Sequence, residues 1–241
     1  MLSVVIPTDC ERENIEPLLM RLSAMAPHLG EPMEVLIVDN RSDDGTSVQA
    51  RRLLGGVIQG RVIECARKVD LAGAVMRGIV EAKGDVIGVM DADLSHPPEL
   101  LPELIRAVRA GSQVAVASRY VAGGGIMNWP WKRRALSRIG NLLARPLTRV
   151  SDATSGYFLF HGSLMRSLLL QPRGFKILLE VLVRGNVRAV QEVPYVFQDR
   201  LHGSSKLGTG VLWCYVVQLS QLYLYRLNRF CQAPLACKTH G

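Results

Sequence analysis

Cysteine is scarce in this sequence and follows no pattern. Cys10, Cys65, Cys214, Cys231 and Cys237 are odd in number, scattered, and form no C-x-x-C pair. That argues against a disulfide scaffold and a structural zinc site and favours a reducing compartment. No basic stretch or cleavage site accompanies Leu2–Ile6, so no signal peptide is expected. No uninterrupted apolar run approaches ~18 residues, so no membrane-spanning helix is expected either. Neither G-x-G-x-x-G after the first apolar run nor G-x-x-x-x-G-K-[ST] occurs, which leaves dinucleotide and P-loop binding unsupported. His28, His96, His161, His202 and His240 lack metal-ligand spacing and read as surface or loop residues. What is present is a globular composition: 48% hydrophobic and 21% charged residues with 22 Gly and 12 Pro in 241. This excludes a disordered or collagen-like chain and fits one domain, with or without an appendage.

Acidic residues are missing from two long stretches. Tyr120–Ser151 holds Lys132, Arg133, Arg134, Arg138, Arg145 and Arg149 but no Asp or Glu. From Arg200 to Gly241 there are Arg200, Lys206, Arg226, Arg229 and Lys238, again without an acid. The net charge of +8 is therefore local. Such patches suit a polyanion, either nucleic acid or an anionic membrane face. No nucleic-acid-binding motif accompanies them, so no nucleic-acid partner is expected.

Between residues 2 and 118, short apolar runs alternate with helix-period segments, the pattern of βαβ units around a mostly parallel sheet. The runs are Leu2–Ile6, Glu34–Val38, Val57–Ile63, Val86–Met90 and Val114–Ser118. Helical spacing links Ile15, Leu18, Leu19, Leu22 and Met25, and again Leu71, Ala74, Val75, Gly78, Ile79 and Ala82. Pro97-Pro98 opens a helix to about Ala110. After Gly123-Gly124-Gly125 comes a basic helix with Leu136, Ile139 and Leu143 on one face, ended or kinked by Pro146. A strand over Tyr157–Phe160, a helix near Ser163–Leu170, an alternating stretch over Val187–Phe197 and a last helix over Gly210–Phe230 follow. The predicted organisation is an α/β domain over 1–208 and a C-terminal amphipathic helix and tail over 209–241.

In open α/β sheets, ligands sit beyond the carboxyl ends of the strands. That directs attention to Pro7-Thr8-Asp9-Cys10-Glu11, to Asp39-Asn40 and to Asp91-Ala92-Asp93. Three carboxylate-bearing ends on one edge are unfavourable together unless donors or cations meet them. In Asp91-x-Asp93 an extended backbone would aim both carboxylates the same way. That suits one hard cation, Mg2+ or Mn2+, shared with substrate phosphates. The plainer alternative is that each carboxylate caps the next helix.

Ile6-Pro7-Thr8 with Glu11-Arg12-Glu13-Asn14-Ile15, then Val38-Asp39 with Ser42 and Asp44-Gly45-Thr46, then Met90-Asp91-Ala92-Asp93-Leu94-Ser95-His96-Pro97-Pro98, carry a resemblance. The chain resembles family 2 glycosyltransferases of the GT-A fold, and among them the polyprenol-phosphate (dolichol-phosphate) mannosyltransferases. Ser118-Arg119-Tyr120, Lys132-Arg133-Arg134, Asp152-Ala153-Thr154-Ser155-Gly156, Phe175-Lys176-Ile177-Leu178-Leu179-Glu180, and Asp199-Arg200 with Gly203, Ser205 and Lys206 extend it over about residues 3 to 210.

The resemblance implies metal-dependent, inverting transfer of a sugar from a nucleotide diphosphate, GDP-mannose, to a lipid phosphate. It places Pro7, Asp9, Glu11, Val38, Asp39, Asn40 and Ala92 against the nucleotide, and Asp91, Asp93 and Ser95 on the metal. Arg119, Arg133, Arg200 and Lys206 would receive phosphates of donor and acceptor. Arg119, Arg200 and Lys206 would join Asp91 and Asp93 in catalysis. Arginine forks match phosphate oxygens and lysine supplies a point charge; a solvated basic face is the alternative. An acceptor phosphate monoester, with its second pKa near ~6, is already nucleophilic at neutral pH and needs no general base. Two departures fall in the nucleoside pocket: Asp9-Cys10 stands where the family usually has Tyr-Asn, and Asn40 where it has a second Asp. UDP-glucose therefore stands beside GDP-mannose as donor, and a non-catalytic nucleotide-binding subunit is the alternative from another class. The Q-x-x-R-W signature is absent, which disfavours polymer synthesis.

A polyprenyl acceptor stays in the bilayer, so the site must reach the headgroups. Trp129–Val150, with Trp129, Trp131 and a leucine face among arginines, has an interfacial composition. Gly210–Phe230 offers Trp213, Tyr215, Tyr223 and Tyr225 but carries Gln218 and Gln221 at mid-span, so it should lie on a membrane rather than cross it. The expectation is a peripheral protein on the cytoplasmic face of a membrane, with room for a membrane-anchoring partner subunit; the alternative is that both helices pack on the core.

Overall fold

Every residue of Leu2–Thr8 (β1) is buried, as befits a central strand covered on both faces. In the computed structural model, which describes residues 1–166, 176–198 and 209–231, β1 pairs in parallel with β2 (Met33–Asp39) and β4 (Val86–Val89), and β3 (Gly60–Glu64) extends the sheet beyond β2. Helices α1 (Arg12–Met25), α2 (Thr46–Leu53) and α3 (Leu71–Glu81) alternate with these strands, and α4 (Leu101–Arg109) follows β4. The second half supplies β5 (Val114–Ser118), the short β6 (Gly125–Ile126), α5 (Trp131–Ala144), β7 (Phe158–His161), α6 (Ser163–Arg166), α7 (Ile177–Arg184), β8 (Val190–Pro194), β9 (Val196–Phe197) and α8 (Thr209–Cys231).

The main sheet runs β3-β2-β1-β4-β7-β5-β8. Its strands are parallel except β7, which lies antiparallel between β4 and β5. The mostly parallel reading therefore holds, with one reversal that local pattern did not reveal. Side chains alternate across the sheet: Val4 and Ile6 join Leu18, Leu22, Leu104 and Val108 on one face. Val5 joins Val75, Ile79, Leu178, Leu182, Leu219 and Leu222 on the other. At Gly78 a Cβ would come within 2.3 Å of Val5 Cγ1, so α3 lies this close to the sheet only because glycine is there.

Two helices escaped the spacing. In α2 only Thr46 and Ala50 are buried, too few for a periodic signal, while Ile177–Val183 of α7 is buried throughout and so has no polar face to create one. Of the predicted helix near Ser163–Leu170, residues 167–170 lie outside the described residues.

Helix α8 packs into the domain. Leu219 and Leu222 enter the core, the Gln218 side chain donates to Lys176 O at 3.0 Å, and Tyr215 and Tyr223 donate to the Gly140 and Leu143 carbonyls of α5 at 2.8 and 2.7 Å. Tyr225 lies beneath Arg184, whose Cζ is 4.8 Å from its ring centroid. The aromatic anchors expected at a membrane are thus reduced, because these three tyrosines find protein partners. Trp129 is likewise a correction: it is buried against Phe197. Trp131, at 74% exposure, and Trp213, at 70%, remain outside. Ile139, Leu142 and Leu143 of α5 and Val216, Leu224 and Leu227 of α8 are exposed as well. Among the described residues no helix is long and apolar enough to cross a membrane.

Candidate active site

The parallel strands β1, β2, β4, β5 and β8 end on one edge. Because β7 runs the other way, its entry loop, Asp152–Tyr157, arrives at that same edge. Residues far apart in sequence are thereby assembled.

On the donor side, β1 and β2 are stitched together just past their ends. Asp39 is buried; its Oδ1 accepts from Thr8 Oγ1 at 3.1 Å and Ser42 Oγ at 2.6 Å, and its Oδ2 accepts from Ser42 N at 3.0 Å. Cys10 N donates to Ser42 Oγ at 2.8 Å. Asp44 accepts from Arg12 N and from both N and Oγ1 of Thr46, while Thr46 Oγ1 also accepts from Glu11 N. Burial alone would raise the Asp44 pKa, but these donors outweigh it and hold the carboxyl below its ordinary value. Gly45, at φ 87°, makes the turn. The Asp44-Gly45-Thr46 motif is thus a clamp between two loops.

The expected nucleotide contacts divide accordingly. Pro7, Val38 and Ala92 are buried, so what they offer a ligand is backbone. Asn40 donates to Val69 O at 3.0 Å and accepts from Val69 N at 2.9 Å. Its amide pins the loop before α3, which a carboxylate, having no donor, would do only in part. Asp9 is partly exposed and pairs with Lys68 at 3.4 Å; Glu11 is partly exposed and accepts from Asn14 Nδ2 at 2.7 Å.

The extended geometry expected for Asp91-x-Asp93 is corrected. Strand β4 ends at Val89, and the two residues lie in a bend that continues through Leu94, whose φ is 63°. Asp93 is buried; its Oδ1 accepts from Ser95 N at 3.1 Å and Ser95 Oγ at 2.5 Å. Asp91 keeps a side chain 36% exposed.

His96, expected as a surface or loop residue near the site, is in a loop but buried. It stacks on Tyr157 at 5.2 Å and meets Tyr195 and Phe197 edge-on. Its Nδ1 accepts from Asp91 N at 2.9 Å, and its Nε2 lies 3.8 Å from Asp91 Oδ2. Burial lowers its pKa despite Asp91 and Asp93, in keeping with a neutral ring. Sequence spacing missed this role because His96 shapes the bend and its contacts come from distant elements.

At Gly156 a Cβ would stand 3.0 Å from His96 Cε1 and 3.2 Å from Asp91 Oδ2, so glycine keeps the space beside the Asp91 carboxylate open. Two carboxylates and a hydroxyl are hard oxygen donors suited to a divalent cation. No third His, Cys, Asp or Glu completes a metal cluster among the described residues. The remaining coordination would fall to water and phosphate oxygens, as magnesium-type ions prefer.

Beyond β5, Arg119 is buried. Its Nε and Nη2 donate to Oδ2 and Oδ1 of Asp152, both at 2.7 Å, and its Cζ lies 5.5 Å from the Trp129 ring. Burial works against its charge, but Asp152 prevails and its pKa is raised. The guanidinium expected to receive phosphate is therefore turned inward. Arg133 is partly exposed, with its Cζ stacked 3.9 Å from the centroid of Trp129. Lys176 Nζ donates to Thr154 O at 3.1 Å; burial, then Arg119, lowers its pKa to about 8. Asp152 and Lys176 lie within the matched segments, yet the contact of the first with Arg119 and of the second with Thr154 O is visible only in three dimensions. Arg200 and Lys206 lie outside the described residues.

The family model for glycosyl transferase family 2 matches residues 3–171. The chain belongs to this family. Dolichol-phosphate mannosyltransferase of Pyrococcus furiosus is 39% identical over 232 residues, 95% of this chain and 64% of that protein. The chain thus spans under two thirds of the archaeal relative. The dolichol-phosphate mannosyltransferase of Saccharomyces cerevisiae is 36% identical over 236 residues, 94% of this chain and 88% of its own. Among solved structures, glucosyl-3-phosphoglycerate synthase from Mycobacterium tuberculosis, bound to Mn2+, UDP and glucosyl-3-phosphoglycerate, superposes with a TM-score of 0.68 at 21% identity, over 94% of this chain and 79% of that one. The same enzyme with Mn2+, UDP and phosphoglyceric acid gives 0.69 at 22% identity, over 98% and 80%. These structures share the GT-A fold with this family 2 glycosyltransferase and were crystallised with a divalent metal.

Proposed function

We propose that this family 2 glycosyltransferase moves mannose from GDP-mannose to dolichyl or another polyprenyl phosphate at a membrane surface, with inversion at the sugar carbon. The observation that carries the reading is the assembly, on one sheet edge, of the Asp91–Asp93–Ser95 oxygen donors beside the Arg119–Asp152 pair, Arg133 and Lys176. The names of the yeast and archaeal relatives support the acceptor and the sugar.

Asp91 and Asp93, with Ser95, would hold Mg2+ or Mn2+, which when bound supplies positive charge for the departing diphosphate. The protein's own residues prepare that site. Ser95 fixes the Asp93 carboxylate, His96 fixes the backbone of Asp91, and the Asp39 and Asp44 clamps shape the nucleoside loops. Arg119 acts from within, holding the Asp152–Gly156 loop and contributing positive potential. Arg133 and Lys176 would meet the acceptor phosphate, which attacks without a general base, and the resemblance assigns Arg200 and Lys206 the same role. The exposed apolar residues of α5 and α8 rest on the bilayer, and a partner subunit could reinforce them. The free thiols of Cys10, Cys65 and Cys214 suit a cytoplasmic face.

The test is incubation with radiolabelled GDP-mannose or UDP-glucose, a divalent cation and polyprenyl phosphate, followed by counting lipid-extractable label. Mannose label in the lipid, lost with chelator, is expected. Glucose label alone would replace the donor, and no label from either would favour a non-catalytic subunit.

A further inference from the structure

A groove of about 930 Å³ lies away from the Asp91–Asp93 bend, where the ends of α5, α7 and α8 meet β8. It follows β8 from Glu192 back to Val190, toward the strand end opposite the transfer site. Five arginines line it: Arg145, Arg149, Arg188, Arg226 and Arg229. All five are exposed. Among its described lining residues Glu192 is the one carboxylate, and its oxygens are turned inward to Ser118 Oγ, Ser151 N and Asp152 N at 2.7 to 3.1 Å. Arg226 also donates to Leu147 O, which fixes it at the rim.

Its surroundings define the occupant. On α8, Leu224 and Leu227 are 60% and 61% exposed but stand two residues from Arg226 and Arg229, hence across the helix from the groove. Arg145 directly follows α5, which exposes Leu142 and Leu143. Cations in a recess with the exposed Leu142 one turn before Arg145 match a ligand with a charged phosphate at one end and hydrocarbon at the other. We propose that this groove binds the headgroup phosphate of an anionic phospholipid, separate from the acceptor lipid, and so docks the enzyme on anionic bilayers. The proposal rests on the reading that α5 and α8 meet a membrane. It adds a lipid class and a site that transfer itself does not require.

The experiment is flotation of the full chain with phosphatidylcholine vesicles and with vesicles containing phosphatidylglycerol, at low and high salt. It compares the wild type with the triple variant Arg149→Gln, Arg188→Gln, Arg229→Gln, all at exposed positions, with circular dichroism to verify folding. The wild type should bind the anionic vesicles about tenfold or more tightly than the neutral ones, salt-sensitively. The triple variant should lose most of that gain while binding neutral vesicles as before. A variant that keeps the gain would overturn the groove. Equal wild-type binding to both vesicles would overturn it while preserving the membrane reading, and would do so in favour of a free anion if inorganic phosphate bound the wild type but not the variant. No flotation on either vesicle would remove both.

Discussion

Arg119 and Asp152, 33 residues apart in sequence, are joined inside the protein by two side-by-side hydrogen bonds of 2.7 Å. A third, from Arg119 N to Asp152 Oδ2 at 3.0 Å, ties the pair to the end of β5. Asp152→Asn should therefore cost about 3 to 5 kcal/mol, because a buried guanidinium would lose its countercharge. Replacing both, as Arg119→Met with Asp152→Leu, should return much of that stability without restoring transfer. Denaturant unfolding of the two variants checks the first claim and the lipid-label assay the second; a stable Asp152→Asn would refute the pair's role.

Asp93→Asn should lower transfer on the order of a hundredfold or more, since a metal-ligand charge beside the leaving diphosphate is removed. The Ser95 hydrogen bonds can still be accepted by the amide oxygen, so the fold should survive. Full activity, either in this variant or in wild type with excess chelator, would count against the metal assignment.

At Gly156 the constraint is space. A methyl group there meets the buried, stacked His96 ring, which has nowhere to go, and the Asp91 carboxylate, which does. Gly156→Ala should thus displace Asp91, cutting activity by about tenfold or more while costing about 1 to 3 kcal/mol of stability. The decisive readout is the metal concentration giving half-maximal rate, which should rise; an unchanged value would mean the gap beside Asp91 is incidental.

Lys176 gives a pH dependence whose sign is fixed. Its pKa falls from the ordinary 10.5 to about 8 on folding, mainly through burial. Below pH 8 both states are protonated and the cost of burying the ammonium is fully present. Between about 8 and 10.5 the unfolded chain binds more protons, so this contribution makes stability rise with pH. Lys176→Met should be more stable than wild type by up to about 3 kcal/mol at pH 7, with the difference shrinking across that window. Melting curves at pH 7 and 10 suffice; a pH-independent difference would contradict the assignment.

The strands β1, β2, β4 and β5 could be read from their apolar runs because each is buried on both faces and so is apolar residue after residue. Spacing also gave α1 and α3, and Pro97-Pro98 gave α4. It could not give β7's place in the sheet, since Phe158–His161 looks like any other short strand and its partners, β4 and β5, are set by packing. At the proposed site, residue types and order pointed to Asp91 and Asp93, and the resemblance added Ser95. The bend that holds them, the burial of His96 and the inward turn of Arg119 depend on Tyr157, Phe197 and Asp152, which come from later segments of the chain. Asn40 is the clearest case: its departure from the family's acid is explained by Val69, and no local pattern shows that contact.

The insertion of β7 also bears on how the molecule is made. Strands β4 and β5 are consecutive parallel strands that do not touch; each leaves an edge for Phe158–His161 to fill. During synthesis the β3-β2-β1-β4 half is complete by Val89, but β5 has no partner in it until about seventy more residues have emerged, an interval that follows from the strand bounds. The nascent chain therefore passes through a stage with two open strand edges, of the kind chaperones shield. Protease protection of ribosome-stalled chains should appear early for β1 to β4 and only after His161 leaves the exit tunnel for β5. Earlier protection of β5 would show that another pairing stands in. The proposed site, which draws residues from both halves of the sheet, is assembled only when this late strand closes it.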